Sequence, residues 1–367
     1  MLSKCRSIIM KSWCSDSDDH KRDNLKGFKV EKLTIALISG GDSSERQVSL
    51  SSGDQVFEAL DKEKYMVERF DPKTDLPQIA AGAPQIDAAL IILHGPLGED
   101  GTIQGMLDLL DIPYQGSGVL GSALAMDKLV SKKMYEDSGL QVPPYHVFKD
   151  SETVLPEQVV DRLGLPLVVK PVVGGSSIGM SIVRTAEALP AAIEKALMED
   201  RSALVESYIQ GMELTCSVIG NDLLETYPVV EIRPGKGFEF FDYQAKYTDG
   251  ATVEICPAEI PDEVADQVQS IAKTAHTALC CRGYSRTDFI YSQGTVYVIE
   301  TNTIPGMTRN SLLPLSARAA GVSFSGLLDR LILLGLEDHA KKKNIRDQAR
   351  LQRILKALQD RDYRRFL

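Results

Sequence analysis

Three side chains with oxygen donors, Asp288, Glu300 and Asn302, fall on two neighbouring β-rich segments. Asp288 lies in "SRTDFIYS" and the other two lie in "VIETN", with an evident "SQG" hairpin between the segments. Pairing across this hairpin brings the three together, and residues two apart on a strand share a face. Hard oxygen donors suit Mg²⁺, which keeps water and substrate phosphates in its coordination shell. The spacing alone is compatible with a magnesium site and with a solvated hairpin that carries ordinary acidic residues.

A lysine, Lys170, ends the apolar run "LGLPLVVK" and is followed by the Gly/Ser-rich segment "PVVGGSSIGM". Successive backbone N–H groups in such a turn can form an anion-binding nest, so the segment is a candidate phosphate cradle. It is not a Walker loop, because the pattern GxxxxGK[ST] is absent. An ordinary hairpin turn is the alternative.

Two further segments place polar groups at strand-to-helix corners, "GGDSSERQVS" with Glu45 and "HGPLGEDG" with His94. Glu45 is alternatively a first-turn helix residue behind an N-terminal cap at Ser44, and His94 a hydrogen-bonded loop histidine. Lys246 and Tyr247 lie in a long Gly-containing segment that suits a lid over a site or a loop with no such role.

The elements around these residues indicate two architectures. "KLTIALIS", "RQVSLSSGDQVFEAL" and "AALIILHG" predict strand, helix and strand, typical of an α/β layer with a mainly parallel sheet whose sites lie at the carboxyl ends of strands. After Met126, "PLVVKPVVGGSSIGMSIV" and "ALVESYIQGMELTCSVIG" each predict a strand pair in an α+β region. A helix over about 262–279 precedes the closing hairpin.

Composition excludes several classes of protein. The 367 residues allow two or three domains, and a formal net charge of -10 argues against a nucleic-acid-binding surface. No apolar run approaches the roughly 18 residues of a membrane span, and the start of the chain has no secretory apolar region. The six cysteines show no CxxC pair, which indicates reduced thiols. A cytoplasmic protein is the simplest interpretation.

Taken together, the motifs resemble the D-alanine–D-alanine ligases, which are ATP-grasp carboxylate-amine ligases. The resemblance spans roughly Lys32 to Gly335 and is carried by "GGDSSERQVSLSSG", "HGPLGEDGTIQGMLDLLDIPYQGSGVLGSALAMDK", "VVKPVVGGSSIGMS", "FFDYQAKYTDGAT" and "GYSRTDFI...VIETNTIPGMTRNSLLP". It implies a three-domain ATP-grasp fold, mixing α/β and α+β, with an N-terminal parallel-sheet α/β domain. The expected divisions are a tail at 1–31, domains at 32–127, 128–213 and 214–336, and a basic C-terminal helix or tail at 337–367.

The family reaction implied is the ATP-dependent ligation of two D-alanines through a D-alanyl phosphate, which supplies peptidoglycan precursor synthesis. For the amino-acid substrates, the resemblance implies that Glu45 contacts Ser176 and Tyr247 of the lid and that His94 lies near the carboxylate of the first D-alanine. It implies that Arg286 and Gly306 stabilise the oxyanion of the tetrahedral intermediate. Ser311 and Leu312 are implied to bind the carboxylate of the second D-alanine. For ATP it implies Lys128, Lys170 and Lys246 at the phosphates, Glu206 and Tyr208 at adenine, and Glu213 at ribose. Asp288, Glu300 and Asn302 are implied to hold two Mg²⁺, with Mn²⁺ as a substitute.

The resemblance also implies a homodimer, while net charge and apolar run lengths indicate no nucleic acid and no membrane span. Tyr247 matches the dipeptide-forming members, so D-alanyl-D-alanine is the expected product, D-alanyl-D-lactate the alternative, and a non-catalytic ATP-binding regulator the rival from another class. Gly174 departs from the family, in which some members carry a glutamate there. The segments before Lys32 and after Gly335 match no family motif. A solvated or domain-docking role is expected for the C-terminal segment, and a partner or membrane-surface role is the alternative.

Overall fold

The computed structural model of the chain describes residues 32–149, 154–175, 177–235 and 252–343. Its strands form three sheets that follow one another along the sequence. The predicted tail at 1–31 and the C-terminal segment beyond Lys343 lie outside the described residues, and so do the three predicted site residues Ser176, Lys246 and Tyr247.

The first sheet consists of three parallel strands in the order β2-β1-β3, so the predicted parallel α/β layer is confirmed. Its strands are β1 (Leu33–Ile38), β2 (Tyr65–Phe70) and β3 (Ala88–Ile91), and its helices are α1 (Arg46–Ala59), α2 (Pro72–Gly82), α3 (Thr102–Leu109) and α4 (Val119–Met126). The sequence pattern does not predict β2. It is an edge strand that carries Glu68 and Arg69, so its sequence lacks the continuous apolar run of the two other strands.

The loops after β1 and β3 meet because parallel neighbouring strands end at the same edge of a sheet. The hydroxyl of Ser43 donates to the backbone carbonyl of His94 at 2.7 Å and accepts a hydrogen bond from the amide of Glu45 at 3.2 Å. The N-terminal cap of α1 is Glu45, so the alternative with Ser44 as the cap is wrong. This arrangement brings Glu45 and His94 to one edge of the sheet.

The second sheet is antiparallel, in the order β4-β7-β5-β6. Its strands are β4 (Tyr145–Lys149), β5 (Leu167–Pro171), β6 (Ser181–Val183) and β7 (Ser202–Ser207), and the helices of this region are α5 (Lys128–Asp137), α6 (Pro156–Leu163) and α7 (Leu189–Leu197). The strand pair predicted on either side of the Gly/Ser turn is confirmed as β5 and β6.

The third sheet is also antiparallel, in the order β11-β10-β8-β12-β13, with β9 paired to β8. Its strands are β8 (Met212–Gly220), β9 (Glu225–Thr226), β10 (Val230–Pro234), β11 (Thr252–Ile255), β12 (Gly283–Ser292) and β13 (Thr295–Asn302), and its helices are α8 (Asp262–Ala278), α9 (Leu312–Ala319) and α10 (Phe324–Lys342). The predicted closing hairpin is confirmed as β12 and β13.

One predicted strand pair is wrong. The segment "ALVESYIQGMELTCSVIG" forms β7 and β8, but these strands belong to different sheets. Both edges of each strand are already paired within its own sheet, β7 with β4 and β5, and β8 with β12 on one edge and with β9 and β10 on the other. Gly211 between β7 and β8 lies against the backbone of Tyr291 in β12. Periodicity identifies a strand but not its partner, so no local pattern indicates that the chain crosses between sheets here.

The predicted division at 127/128 coincides with the start of α5, whereas the divisions at 213/214 and 336/337 fall inside β8 and α10. One hydrophobic core joins the first sheet to α10, because residues of β1 and α10 bury their side chains together; its members include Ile35, Leu37, Leu327 and Leu331.

Among the described residues no single helix is long and apolar enough to span a membrane. The pair α9 and α10 is long and apolar enough only when the two helices are taken together, and they are bent by 106° relative to each other.

Candidate active site

A cavity of about 920 Å³ opens where the three sheets meet. Nine of the predicted site residues line it: Glu45, His94, Lys128, Arg286, Glu300, Asn302, Gly306, Ser311 and Leu312. A second cavity of about 180 Å³ extends between the second and third sheets and is lined by Lys128, Lys170, Glu206, Tyr208, Glu213, Asp288 and Glu300. Lys128 and Glu300 line both cavities, so the fourteen described site residues surround two adjoining cavities.

The oxygen donors on the closing hairpin share one side of the sheet because of a β-bulge. Asp288 lies opposite Glu300, but Phe289 lies opposite Val298, so Ile299 is the extra residue. The bulge resets the alternation of faces: Val298 is buried, and after it Thr301, not Glu300, is the next buried residue. Glu300 and Asn302 are therefore aimed into the cavity at the end of an otherwise apolar strand.

The buried side of the same hairpin is fixed by hydroxyl groups. Thr287 and Thr301 lie opposite each other, and their Oγ1 atoms are 2.9 Å apart. The hydroxyl of Tyr135, on α5, donates to Oγ1 of Thr301 at 2.7 Å. These bonds anchor the hairpin to the helix that carries Lys128.

The donor set fits a divalent cation. Asp288 and Glu300 lie directly opposite each other on adjacent strands, where two carboxylates repel. Arg286 compensates part of this negative charge, and a bound cation would compensate more. Nδ2 of Asn302 donates to Oδ2 of Asp288 at 3.2 Å, which leaves the amide oxygen as the atom able to bind a cation. All three are hard oxygen donors of the type that Mg²⁺ and Mn²⁺ accept.

Arg286 precedes Asp288 by two residues on β12, so both lie on one face of the sheet. Its Nε and one terminal nitrogen donate to the two carboxylate oxygens of Asp288, each at 2.8 Å. Burial lowers the pKa of Arg286, but the charges of Asp288 and Glu300 raise it further, with a net increase. The guanidinium group is thus held charged, in a fixed plane, on the wall of the large cavity.

Glu206 lies in a buried cluster of charged residues beside the second cavity. Its side chain forms ion pairs with two lysines, Lys132 through Oε1 and Lys170 through Oε2, the latter at 2.6 Å. Burial raises the pKa of Glu206, but the charges of Lys132 and Lys170 outweigh it and lower the pKa to about 2. Glu206 is therefore an ionised hydrogen-bond acceptor inside a largely apolar cavity.

The Gly/Ser turn after Lys170 reaches across to the first sheet. A Cβ atom at Gly175 would lie 3.3 Å from Oε2 of Glu45, and Nζ of Lys128 donates to the backbone carbonyl of Gly174. Both glycines line the large cavity, and a side chain at Gly175 would crowd the Glu45 carboxylate. The turn next to Ser176 thus lies between the predicted amino-acid side and the predicted phosphate side.

Gly306 and Ser311 also line the large cavity, at the segment that leads into α9. Ser311 is the N-terminal cap of α9, and its Oγ accepts a hydrogen bond from the amide of Thr308 at 3.1 Å. A Cβ atom at Gly306 would lie only 3.0 Å from that Oγ, so the position suits glycine. The first N–H groups of a helix have no acceptor within the helix itself, which makes the start of α9 favourable for a carboxylate.

Two residues of the site are not predicted from the sequence. Lys132 lies four positions after Lys128 on α5, a spacing that puts both on one helix face and that could have revealed it. Glu99, in the quoted "HGPLGEDG" segment, lines the large cavity, and its Oε2 accepts a hydrogen bond from the amide of Gly95 at 2.7 Å. Burial raises the pKa of Glu99 to about 8, and the nearby charge of Glu45 adds to this effect.

Sequence comparison decides the family. Residues 134–333 match the family model described as D-ala D-ala ligase C-terminus, and residues 68–117 match that described as D-ala D-ala ligase N-terminus. The first match alone covers more than half of the chain. The chain belongs to the D-alanine–D-alanine ligase family.

This ligase family member has similar relatives among curated proteins and solved structures. It is 58% identical over 311 residues to the D-alanine–D-alanine ligase of Syntrophobacter fumaroxidans, a match that covers 85% of this chain and 100% of the relative. The Bacillus anthracis D-alanine–D-alanine ligase complexed with ATP aligns with a TM-score of 0.75 at 37% identity, covering 84% of this chain and 99% of that one. The VanG D-Ala:D-Ser ligase from Enterococcus faecalis aligns with a TM-score of 0.74 at 34% identity, covering 83% and 100%. The predicted family and the predicted ATP-grasp fold class are confirmed.

Proposed function

We propose that this ligase joins two D-alanine molecules into D-alanyl-D-alanine with conversion of ATP to ADP and phosphate. A carboxylate oxygen of the first D-alanine attacks the γ-phosphorus of ATP, ADP leaves, and D-alanyl phosphate forms. The amine of the second D-alanine then attacks the acyl carbon, and the tetrahedral intermediate expels phosphate and loses a proton. Phosphorylation supplies the leaving group that a free carboxylate lacks.

One observation carries this proposal: the two cavities share a wall. Lys128, Gly174, Gly175 and Glu300 line both, so a nucleotide in the smaller cavity would direct its phosphates toward amino acids in the larger one. Phosphoryl transfer requires the carboxylate and the γ-phosphate to be neighbours, with water kept out. The 58% identity to a D-alanine–D-alanine ligase supports the same assignment.

The predicted roles fit the chemistry of each wall. Glu45 would bind the first ammonium group, Arg286 and the Gly306 amide would stabilise the oxyanion, and the start of α9 at Ser311 and Leu312 would bind the second carboxylate. Lys128 and Lys170 would neutralise the phosphates, with Glu206 and Tyr208 at adenine and Glu213 at ribose. Burial lowers the pKa of His94, so this residue near the first carboxylate is a neutral hydrogen-bonding group.

Asp288, Glu300 and Asn302 would hold two Mg²⁺ ions, which neutralise phosphate charge when bound. We further propose a homodimer that works in the cytoplasm, where its product would supply peptidoglycan precursor synthesis. These assignments rest on the family resemblance, and Mn²⁺ is the expected substitute when Mg²⁺ is absent.

Product identification tests the proposed reaction. Mass spectrometry after incubation with ATP, Mg²⁺ and D-alanine is expected to detect D-alanyl-D-alanine, with one ADP formed for each dipeptide. In mixtures of D-alanine with D-lactate, and of D-alanine with D-serine, the dipeptide of two D-alanines is expected to remain the main product. A product mixture dominated by the D-lactate ester or by the D-serine dipeptide would overturn the assignment of the second substrate, and ADP formation that is independent of D-alanine would overturn the reaction.

A further inference from the structure

Lys132 is fully buried, with 0% of its residue surface exposed, yet it lines neither cavity. Its Nζ forms an ion pair with Oε1 of Glu206 and lies 5.3 Å from the centre of the Tyr145 ring. Burying an ammonium group is costly unless a partner compensates it, and apolar residues often fill such positions without loss of stability. The lysine therefore suggests a role that a merely structural side chain would not need.

The partner of Lys132 faces the nucleotide side of the proposed site. Glu206 lines the smaller cavity, whose other walls include the apolar side chains of Val168, Ile182 and Phe289. Apolar walls with an ionised acceptor beside them suit a flat heterocyclic base that carries an amino group at its edge.

The two lysines that contact Glu206 have different surroundings. Lys170 lines the smaller cavity, where the phosphates of a nucleotide would attract it away from Glu206. Lys132 does not line the smaller cavity, so a nucleotide bound there would not compete with Glu206 for contact with Lys132. Of the two, Lys132 is the cation that can stay on Glu206 when the nucleotide is bound.

We infer that Lys132 is a positioning residue for base selection: it holds Glu206 as a charged acceptor toward the 6-amino group of adenine and so disfavours purines with a 6-carbonyl. This inference rests on the proposed function, because it takes the smaller cavity as the base site. A carboxylate held in this state attracts an amino group and repels a carbonyl oxygen. The charge of Lys132 is the largest of the effects that lower the pKa of Glu206, which supports its part in keeping Glu206 ionised.

Comparison of ATP with inosine triphosphate tests the inference, since the two differ in the 6-position group and the adjacent ring nitrogen. In Lys132→Met, the ratio of kcat/KM for ATP to that for inosine triphosphate is expected to fall at least about tenfold, the range of one hydrogen bond to a charged group. The change is expected in KM for the nucleotide, with KM for D-alanine unchanged and the ratio largely restored in Lys132→Arg. Lys133→Met, an exposed neighbour on the same helix, is the matched control.

Calorimetric binding of the two nucleotides without D-alanine gives a readout that does not depend on turnover, and the ratio of Kd values is expected to shift in the same direction. A folded Lys132→Met protein with an unchanged ratio overturns the inference. If Lys132→Met does not fold, the double variant Lys132→Met/Glu206→Gln removes both buried charges, and its ratio must equal that of Glu206→Gln alone. A further fall in the double variant shows that Lys132 does not act through Glu206. Wild-type protein that forms no dipeptide contradicts the proposed function instead.

Discussion

Arg286→Met is expected to lower kcat about a hundredfold to a thousandfold, the effect typical of removing one preorganised oxyanion donor. The guanidinium group lies on the wall of the large cavity, where two 2.8 Å hydrogen bonds to Asp288 fix its orientation. Its charge matters mainly when the tetrahedral oxyanion forms, so the loss is expected in kcat more than in KM for D-alanine. Steady-state kinetics of ADP release measure both constants.

Arg282→Met is the matched control, because Arg282 is also paired with a carboxylate, that of Asp338, but does not line either cavity. Arg286→Lys keeps the positive charge but cannot form the bidentate hydrogen bond to Asp288, so its activity should lie between that of the wild type and that of Arg286→Met. Circular dichroism of each variant separates loss of fold from loss of activity. A folded Arg286→Met protein with kcat within about threefold of the wild type would remove Arg286 from the proposed mechanism.

Glu300→Gln is expected to lower Mg²⁺-dependent turnover by more than about a hundredfold, beyond the effect typical of residues that only support a metal ligand. The substitution keeps the size of the side chain and removes one of two carboxylates that lie opposite each other across β12 and β13. Asp288 repels Glu300 but Arg286 attracts it, so thermal stability without metal is expected to change little. Initial rates measured over a range of MgCl₂ concentrations should show a weaker apparent affinity for the ion.

Glu254→Gln is the control for this experiment, since Glu254 also lines the large cavity but belongs to no donor set on the hairpin. Its Mg²⁺ dependence is expected to match that of the wild type. Unchanged Mg²⁺ dependence in Glu300→Gln, or an equal change in both variants, would argue against the metal assignment at Asp288, Glu300 and Asn302.

Much of the site could be predicted because its residues lie at the ends of strands. Short apolar runs predicted β1, β3, β5 and the closing hairpin, and polar residues directly after such runs fall at sheet edges. The family resemblance then joined these separate edges into one site, which spacing alone could not do. Each predicted site residue that the structure describes lines at least one of the two adjoining cavities.

Other features depend on contacts that no local pattern records. The bulge at Ile299 turns Glu300 toward the cavity, and it is visible only in the register between β12 and β13. The placement of β7 and β8 in different sheets depends on the strands with which each one pairs. The spacing of Lys132 from Lys128 places it on the same helix face as a predicted site residue. Its full burial and its partner, Glu206 on β7, are visible only in the structure.

The central claim is that ATP phosphorylates the carboxylate of the first D-alanine at the wall shared by the two cavities. D-alanine labelled with ¹⁸O in its carboxylate tests this most directly, because the oxygen that attacks phosphorus leaves with the phosphate. Mass spectrometry of the phosphate released during dipeptide synthesis is expected to detect one ¹⁸O atom per molecule. Phosphate without the label, released in step with dipeptide, would contradict the proposed D-alanyl phosphate.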